Sequence, residues 1–409
     1  MSAGRRAVIT AIGAVTPCGL DAESTWDAVV SGRSGIRAFE HVDVSDLAVS
    51  VGGEVRNFDP LAFVSRSDAK RLDAHALYAI AAAHEAMSGV EPLNPDRFGV
   101  TVATGSGAVS LTQEAVRTLD RSGPRRVPPG VVVYGGPDAA AAYLSQKYDA
   151  RGASAGLSAT CASGTAALGE ALRAVRHGYA DAILVVGADD CLNRVNLAVN
   201  SSLGALAPGY ESAPSQASRP FDRARRGFVM SAGAAALLVE SDEHARRRGA
   251  VALGEIAGYG VSSDAHHPTA PHPHGRGAIS AMRGALDDAR VTPESVDHVN
   301  AHGTGTPLND AMEAYALQHV FGDALASIPV TSTKSTTGHL LGAAGTLEAA
   351  LSLLGMRDGA IPPTINLDDP EFPELDVVAH EARSERVSTL VTNSFGFGGH
   401  NASLVLRAV

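Results

Sequence analysis

The 409-residue sequence is poor in cysteine and has no apolar run long enough to cross a membrane. The chain has three cysteines, Cys18, Cys161 and Cys191. So small and odd a number argues against a disulfide framework and favours a reducing compartment. The N-terminal segment MSAGRRAVITAIGAVTPCGL lacks the apolar core and cleavage pattern of a signal peptide. We therefore expect a cytoplasmic protein with no membrane partner.

Positive charge is also scarce, because 33 Lys and Arg residues stand against 44 Asp and Glu residues and give a formal net charge of -11. A general affinity for nucleic acid is therefore not expected. Apolar residues make up 45% and charged residues 19% of the chain, which is typical of a globular protein and not of a disordered one. The length predicts more than one small domain.

Short apolar runs rich in β-branched residues alternate with helix-like segments along the chain. The predicted strands are 6–12, 99–103, 183–187, 235–239, 251–257, 296–301, 329–332, 390–393 and 402–406. The predicted helices include 74–87, 138–147, 161–176, 279–289, 309–320 and 346–356. This alternation predicts an α/β fold with largely buried sheets.

Two local patterns occur twice in the chain. A Thr-Gly-Ser-Gly turn follows a strand at 104–107, and a His-Gly-Thr-Gly turn follows another at 302–305. Likewise, TCASGTAAL at 160–168 and HLLGAAGTL at 339–347 each open a helix rich in small residues. We infer two related halves, residues 1–250 and 251–409, that share one compact unit and place these turns face to face.

Cys161 stands where a turn of small residues meets an amphipathic helix. A thiol at a helix N-terminus faces free backbone N–H groups and the positive end of the helix dipole, and both favour the nucleophilic thiolate. The alternative is a buried structural cysteine, the commoner fate of a free thiol. Cys18 and Cys191 lack this setting, so we interpret them as structural.

Two histidines occupy similar positions in the second half. His302 ends a predicted strand, and Asn309 or Asp310 can cap the helix that follows. His339 lies at a turn that opens a helix, where the cationic form is disfavoured, with Lys334 five residues before it. A neutral imidazole can donate to a developing oxyanion or accept a proton. The alternative for each is a histidine held by hydrogen bonds of its turn.

The C-terminal segment NSFGFGGHNASLVL contains three glycines around Phe397. Glycines let a backbone approach a ligand closely and present an N–H group to it. Phe395 and Phe397 either cover an apolar pocket or pack in the core. No helix follows at the spacing of a dinucleotide-binding loop.

Together these segments resemble the beta-ketoacyl synthase family of condensing enzymes. The motifs that carry the resemblance are AHGTGTPLND, TKSTTGHLLGAAG, SRPFDRARRGFV and PPTINLDDP, and the likeness covers nearly the whole chain. It is greatest to the elongating synthases of type II fatty acid and polyketide systems. The resemblance implies a thiolase-like fold, in which two βαβαβ-type halves form five αβαβα layers. The half at 1–250 then holds the nucleophilic cysteine, and the half at 251–409 holds both catalytic histidines.

The resemblance also implies an activity, namely decarboxylative Claisen condensation of an acyl group with malonyl-acyl carrier protein. Cys161 would carry the acyl group, while His302 and His339 stabilise the enolate, Lys334 orients the active-site histidine and Glu348 supports that network. The N–H groups of Cys161 and Phe397 would form the oxyanion hole. The expected substrate-binding residues are Thr269, Thr304, Thr306, Phe395, Phe397, Ala108 and Asn200. No cofactor is expected.

A metal site is the competing interpretation of these histidines. Its ligands would be Cys161, His302 and His339, or else the histidines of the segment AHHPTAPHPHG, namely His266, His267, His272 and His274. Neither set has the CxxC or HxxxH spacing typical of zinc sites. We therefore expect no metal.

Two positions differ from many fatty-acid enzymes of the family. Ala108 stands where a larger aliphatic residue limits the acyl pocket, and Asn200 stands where an aromatic residue is common. A wider, more polar pocket suits a long, unsaturated or oxygenated chain. The fatty acid pathway and the polyketide pathway both remain open.

The expected partner is an acidic carrier protein, loaded with an acyl or malonyl group. By resemblance it docks on the basic residues of two segments, Arg66, Lys70, Arg71, Arg125 and Arg126. The chain would form a homodimer, or a heterodimer with a related subunit that lacks the cysteine and sets chain length. The alternative function is that this chain is itself such a catalytically weak partner, although its complete Cys-His-His set favours the catalytic member.

Overall fold

The computed structural model describes residues 5–409. Over this range the chain forms fifteen β-strands: β1 Ala7–Val15, β2 Arg37–Ala38, β3 Val51–Gly52, β4 Phe98–Ala103, β5 Ser154–Leu157, β6 Ala182–Asp189, β7 Gly233–Ser241, β8 Gly254–Ser263, β9 His298–Asn300, β10 Pro329–Thr331, β11 Ala360–Ile361, β12 Asp376–Val377, β13 Arg383–Ser384, β14 Thr389–Gly396 and β15 His400–Arg407. The same range forms thirteen α-helices: α1 Ala22–Val30, α2 Arg66–Ala69, α3 Ala74–Ala86, α4 Val109–Ser122, α5 Val131–Tyr134, α6 Ala139–Lys147, α7 Ser163–Arg176, α8 Arg194–Ser202, α9 Asp242–Arg247, α10 Arg276–Ala289, α11 Pro307–Phe321, α12 Lys334–Thr337 and α13 Ala344–Asp358.

Eleven of these strands form one mixed sheet, in the order β12-β10-β9-β14-β15-β8-β1-β7-β6-β4-β5. The antiparallel pair β1–β8 joins two sets of five strands, β1-β7-β6-β4-β5 and β8-β15-β14-β9-β10. In each set the first two pairs are antiparallel and the last two are parallel. The topology of the sheet therefore repeats within the chain. We propose that the boundary at residue 250 lies in the connection between α9 and β8.

Helices cover both sets of strands and separate them. The buried helices α7 and α13 pack against each other and against strands of both sets. On the far side of the first set, α3 packs on β1, β6 and β7, and on the far side of the second set α10 packs on β8 and β15. The result is the predicted five-layer arrangement of helix, sheet, helix, sheet and helix.

The two central helices approach each other at their first turns, where glycines make room. A Cβ atom at Gly164 of α7 would lie 2.7 Å from the backbone nitrogen of Thr346, and a Cβ at Gly345 of α13 would lie 2.6 Å from that of Thr165. Any larger residue would push the helices apart. The turns that open α7 and α13 therefore face each other, as the repeated motifs predicted.

All nine predicted strands and six predicted helices are present, with shifted ends. Two local predictions were wrong. Residues 161 and 162, predicted as the start of a helix, belong to a separate 3₁₀ turn at Thr160–Ala162 before α7. The cap of α11 is neither Asn309 nor Asp310 but Thr306, whose side chain accepts a hydrogen bond from the Asn309 N–H. Among residues 5–409, no helix is both long and apolar enough to span a bilayer.

Candidate active site

Cys161 lies in the 3₁₀ turn Thr160–Ala162, between β5 and α7. Thr160 adopts a left-handed backbone conformation with φ of 51°, which is costly for a β-branched residue. Its hydroxyl donates to the carbonyl oxygens of Ala159, at 2.8 Å, and Phe397, at 2.9 Å. These contacts hold the strained turn that presents the Cys161 thiol to a cavity.

His339 is placed against this thiol by the equivalent turn of the second half. Its Nε2 atom lies 3.1 Å from Sγ of Cys161. The backbone N–H of Leu341 donates to Nδ1 of the same ring at 3.4 Å, which places the proton of the neutral imidazole on Nε2. His339 therefore points an N–H donor at the sulfur.

His302 lies beside His339, with ring centroids 5.4 Å apart in an edge-to-face arrangement. Its backbone is held by Glu313, whose carboxylate accepts from the N–H groups of His302, at 2.8 Å, and Gly303, at 2.7 Å. One ring nitrogen of each histidine and Sγ of Cys161 all lie within 4.8 Å of one another. The structure thus brings the predicted Cys-His-His set together.

Both histidines are neutral, and burial is the main cause. Burial lowers the pKa of His302 and of His339 well below the usual value, and the ammonium group of Lys334 lowers both further. Lys334 is itself buried and forms an ion pair with Glu348. Burial and Lys334 thus add to the effect that was predicted for the helix terminus at His339.

The N–H groups at the start of the helix do lower the pKa of the Cys161 thiol, as predicted, but burial of the thiol opposes them. Burial raises the pKa of Cys161 to about 12, and this outweighs the lowering by Lys334 and by the N–H groups of Phe397 and Cys161 itself. Burial therefore favours the neutral thiol over the thiolate. Those two N–H groups face the sulfur, and the oxyanion hole that they would form stays a prediction.

A cavity of about 440 Å³, here called the inner cavity, opens onto the thiol and both histidine rings. Six of the predicted substrate-binding residues line it: Asn200, Thr269, Thr304, Thr306, Phe395 and Phe397. The hydroxyls of Thr304 and Thr306 are 3.0 Å apart at its wall. Lys334 and Glu348 do not line this cavity and lie behind the histidines.

A second cavity of about 680 Å³, here called the outer cavity, shares Gly105 and Ser106 with the inner one. Ala108 lines the outer cavity, together with α4 residues such as Thr112 and Val116. Ala108 therefore lines the outer cavity and not the inner one, onto which the Cys161 thiol opens.

Sequence reasoning missed Asp189, at the end of β6. Its buried carboxylate accepts from the Thr104 hydroxyl at 2.7 Å and from the N–H groups of Gly105, at 2.8 Å, and Gly342, at 2.6 Å. It thereby joins the turn at 104–107 to the turn that follows His339. A single aspartate in an apolar strand carries no sign of these partners, which only the fold brings near.

The Cys-His-His cluster has the spacing of a three-ligand metal site, but its chemistry does not favour a metal. A metal ion would lie beside the ammonium of Lys334 and would need the His339 Nε2 lone pair, which the Leu341 contact assigns to a proton. The second set of possible ligands, the histidines of the segment AHHPTAPHPHG, is disfavoured by a hydrogen-bonding role of His267 within its own loop. Nδ1 of His267 accepts from the N–H groups of Thr269, at 3.2 Å, and Ala270, at 3.0 Å, so this ring shapes its own loop.

The basic residues expected to dock a carrier protein are all exposed: Arg66, Lys70, Arg71, Arg125 and Arg126. Within residues 5–409 none of them forms an ion pair, so their charges face solvent. Another group of arginines, Arg223, Arg225 and Arg226, lies in the motif SRPFDRARRGFV. Of these, Arg225 differs from the docking residues because it is buried against Asp310 and Glu371.

Comparison with known proteins gives matches over the whole chain. Residues 4–245 match the family described as "Beta-ketoacyl synthase, N-terminal domain", and residues 253–368 match "Beta-ketoacyl synthase, C-terminal domain". The chain is 40% identical to a "3-oxoacyl-[acyl-carrier-protein] synthase 2" of Staphylococcus aureus, over 100% of this chain and 99% of the relative.

Two solved structures are similar at a TM-score of 0.92. One is titled as a type II PKS acyl-carrier protein in complex with its ketosynthase bound to the hexaketide, and it is 30% identical, over 99% of this chain and 100% of that chain. The other is the ishigamide ketosynthase/chain length factor, which is 32% identical over 100% of both chains.

Proposed function

Because the chain belongs to the beta-ketoacyl synthase family, we propose that it condenses an acyl group carried on Cys161 with malonyl-acyl carrier protein to give 3-oxoacyl-acyl carrier protein. The observation that carries this proposal is the contact of 3.1 Å between His339 Nε2 and Cys161 Sγ, with the neutral His302 ring beside it. Such a set suits a reaction that needs a sulfur nucleophile and two N–H donors.

In the first half-reaction the Cys161 thiolate attacks the carbonyl carbon of an acyl thioester. The new carbon–sulfur bond forms as the bond to the carrier breaks, and the carrier sulfur takes up the proton that the thiol has lost. The N–H groups of Cys161 and Phe397 stabilise the oxyanion between these events. His339 and Lys334 stabilise the thiolate, which burial disfavours.

In the second half-reaction malonyl carrier protein loses carbon dioxide, and the electron pair of the broken carbon–carbon bond remains as an enolate. His302 and His339 donate N–H groups to the enolate oxygen, whose charge appears only at this stage. The enolate carbon then attacks the acyl carbonyl on Cys161. A carbon–carbon bond forms, and Cys161 leaves as the thiolate.

The substrate arm enters through the inner cavity, where Thr304 and Thr306 offer hydroxyls to the pantetheine chain. The carrier protein itself docks on the exposed charges of Arg66, Lys70, Arg71, Arg125 and Arg126. An acidic carrier is attracted to this patch in spite of the net negative charge of the chain. One similar structure is titled as a ketosynthase in complex with its acyl-carrier protein, which supports this partner.

The growing acyl chain extends from Cys161 past Ser106 and Ala108 into the outer cavity. The polar side chains of Thr112 and Gln113 line that space, which suits an oxygenated or unsaturated chain. A partner subunit, either a second copy or a related chain without the cysteine, covers the exposed apolar residues nearby, Val116, Leu119, Val132, Val195 and Val199. Similarity to a ketosynthase/chain length factor supports such a pairing.

The alternative, a catalytically weak chain-length subunit, requires no assembled nucleophile. Here Cys161, His302 and His339 are all present and in contact, which favours the catalytic role.

The proposal is tested by incubating the protein, alone and with its native partner, with acyl and malonyl carrier proteins, and measuring 3-oxoacyl carrier protein by mass spectrometry. Product is expected from the natural chain and from Cys18→Ala, and none from Cys161→Ala. The absence of product from the natural chain, with the partner present, would reject the proposal.

A further inference from the structure

Helix α4 forms one wall of the outer cavity, and within residues 5–409 of a single chain it has few attachments. Each of its 14 residues is at least partly exposed. The residue before it, Ala108, cannot cap it with a side chain. Among the hydrogen bonds of residues 5–409, one joins α4 to a distant part of the chain, and it runs from the Leu111 N–H to Oδ2 of Asp73 at 2.9 Å. This bond satisfies a free N–H group of the first helical turn.

Asp73 is well suited to hold that turn. It is 5% exposed and stands at the start of α3, which is anchored on β1, β6 and β7. Burial alone would raise the pKa of Asp73, but hydrogen bonds from His75 and from the Leu111 N–H keep it below the usual value. The carboxylate is therefore ionised and accepts bonds from both.

His75 fixes the direction of this carboxylate. Its ring is fully buried, and Nδ1 lies 3.1 Å from Oδ1 of Asp73. Within residues 5–409 the Nε2 atom of His75 has no hydrogen-bond partner. The polar contact of this ring in that range is therefore the one with Asp73. Because the His75 ring is buried and held in place, its contact with Oδ1 restrains the rotamer of Asp73.

We propose that Asp73, oriented by His75, is a positioning residue that sets acyl-chain selectivity by holding α4 against the outer cavity. This inference rests on the proposed function, because the outer cavity receives the acyl chain only if Cys161 is acylated. Residues of α4 such as Thr112 and Val116 line the same cavity as Pro137 and Val195 of other segments. A shift of α4 would therefore change the width of the space available to the chain.

The structural part is tested by hydrogen–deuterium exchange of the full chain, with its partner if it has one. Asp73→Ala is expected to speed exchange in residues 109–122 at least about tenfold, because the tie to α3 is lost. Asp73→Asn keeps an acceptor for the Leu111 N–H and should stay within about twofold of the natural chain. Glu85→Ala is the matched control, since Glu85 is also a carboxylate of α3 but accepts from Ala14 and Ala22 instead.

The selectivity part is tested by kcat/KM for acyl carrier substrates of increasing length. Asp73→Ala should shift the ratio between the preferred chain and a chain two carbons longer by at least about fivefold toward the longer one, while Asp73→Asn and Glu85→Ala leave it within about twofold. An unchanged ratio or unchanged exchange in Asp73→Ala would overturn the proposal. If the natural chain formed no 3-oxoacyl product, the proposed function would fail, and the exchange result would still decide whether Asp73 positions α4.

Discussion

Lys334 and Glu348 form an ion pair whose side chains are only 1% and 3% exposed, directly behind the two active-site histidines. The Lys334 ammonium lowers the pKa of His302, His339 and Cys161, whereas burial acts in opposite directions on the imidazoles and on the thiol. The pair therefore keeps both rings neutral as donors and supports the thiolate when it forms.

The reactivity of Cys161 should depend steeply on pH. Because burial raises the pKa of its thiol to about 12, the thiolate fraction at lower pH is small and grows with pH. Alkylation of Cys161 by iodoacetamide should therefore accelerate about tenfold per pH unit between about pH 7 and 9. Peptide mass spectrometry measures this, and a rate that is constant across that range would show that the resting group is already a thiolate.

Loss of either histidine should affect the decarboxylation step. His302→Ala and His339→Ala should each lower malonyl carrier protein decarboxylation by at least about 10²-fold, the usual effect of removing one oxyanion donor. Release of labelled carbon dioxide measures this step. Since burial and Lys334 lower both imidazole pKa values, the natural chain should show no loss of decarboxylation from histidine protonation as the pH falls from about 8 to 6.

Normal decarboxylation in His302→Ala would contradict the role given to that residue. Self-acylation serves as the internal control, because His302 does not contact the sulfur as His339 does. It should survive better in His302→Ala than in His339→Ala.

Charge reversal at the docking patch should weaken carrier binding alone. Three variants test the patch, namely Arg66→Glu, Lys70→Glu and the double variant Arg125→Glu with Arg126→Glu. Each should raise KM for carrier substrates and reduce the salt dependence of that KM, because attraction to the acidic carrier is lost. Turnover of small pantetheine thioesters should stay nearly unchanged. Arg246→Glu, an exposed change on α9, is the control. Equal losses on both substrate types would point to misfolding.

A larger side chain at Ala108 should shorten the longest acyl chain that is accepted. Each methylene excluded from an apolar space is worth about 0.8 kcal/mol, so Ala108→Phe should shift chain-length preference by more than about tenfold while short-chain activity persists. Ala115→Phe, on helix α4 that follows Ala108 but outside the cavity lining, is the control. An unchanged preference, measured with the proper partner present, would place the end of the pocket elsewhere.

The fold was largely predictable because its central strands are apolar runs of regular spacing, as in β6 and β7. Strand β5, with the sequence SAGL, was missed since small residues carry no strand signal. Helix α4 was missed as well, although its apolar residues recur at helical spacing.

The chemical groups were predictable where a local motif marks them, as for Cys161 and His339. Asp189 and Glu313 were missed because their partners are backbone N–H groups that only the fold brings near. The raised pKa of Cys161 was not predictable for a related reason. A helix start is visible in sequence, whereas the burial that outweighs it depends on α7 and α13 packing together.

The most direct test of the account is to identify the acylated residue. The protein is incubated with acyl carrier protein in the absence of malonyl substrate, digested, and analysed by mass spectrometry. The acyl group is expected on Cys161, and addition of malonyl carrier protein should remove it as 3-oxoacyl product appears. An acyl label on Cys18 or Cys191 alone, or a label on Cys161 that malonyl carrier protein does not discharge, would contradict the account.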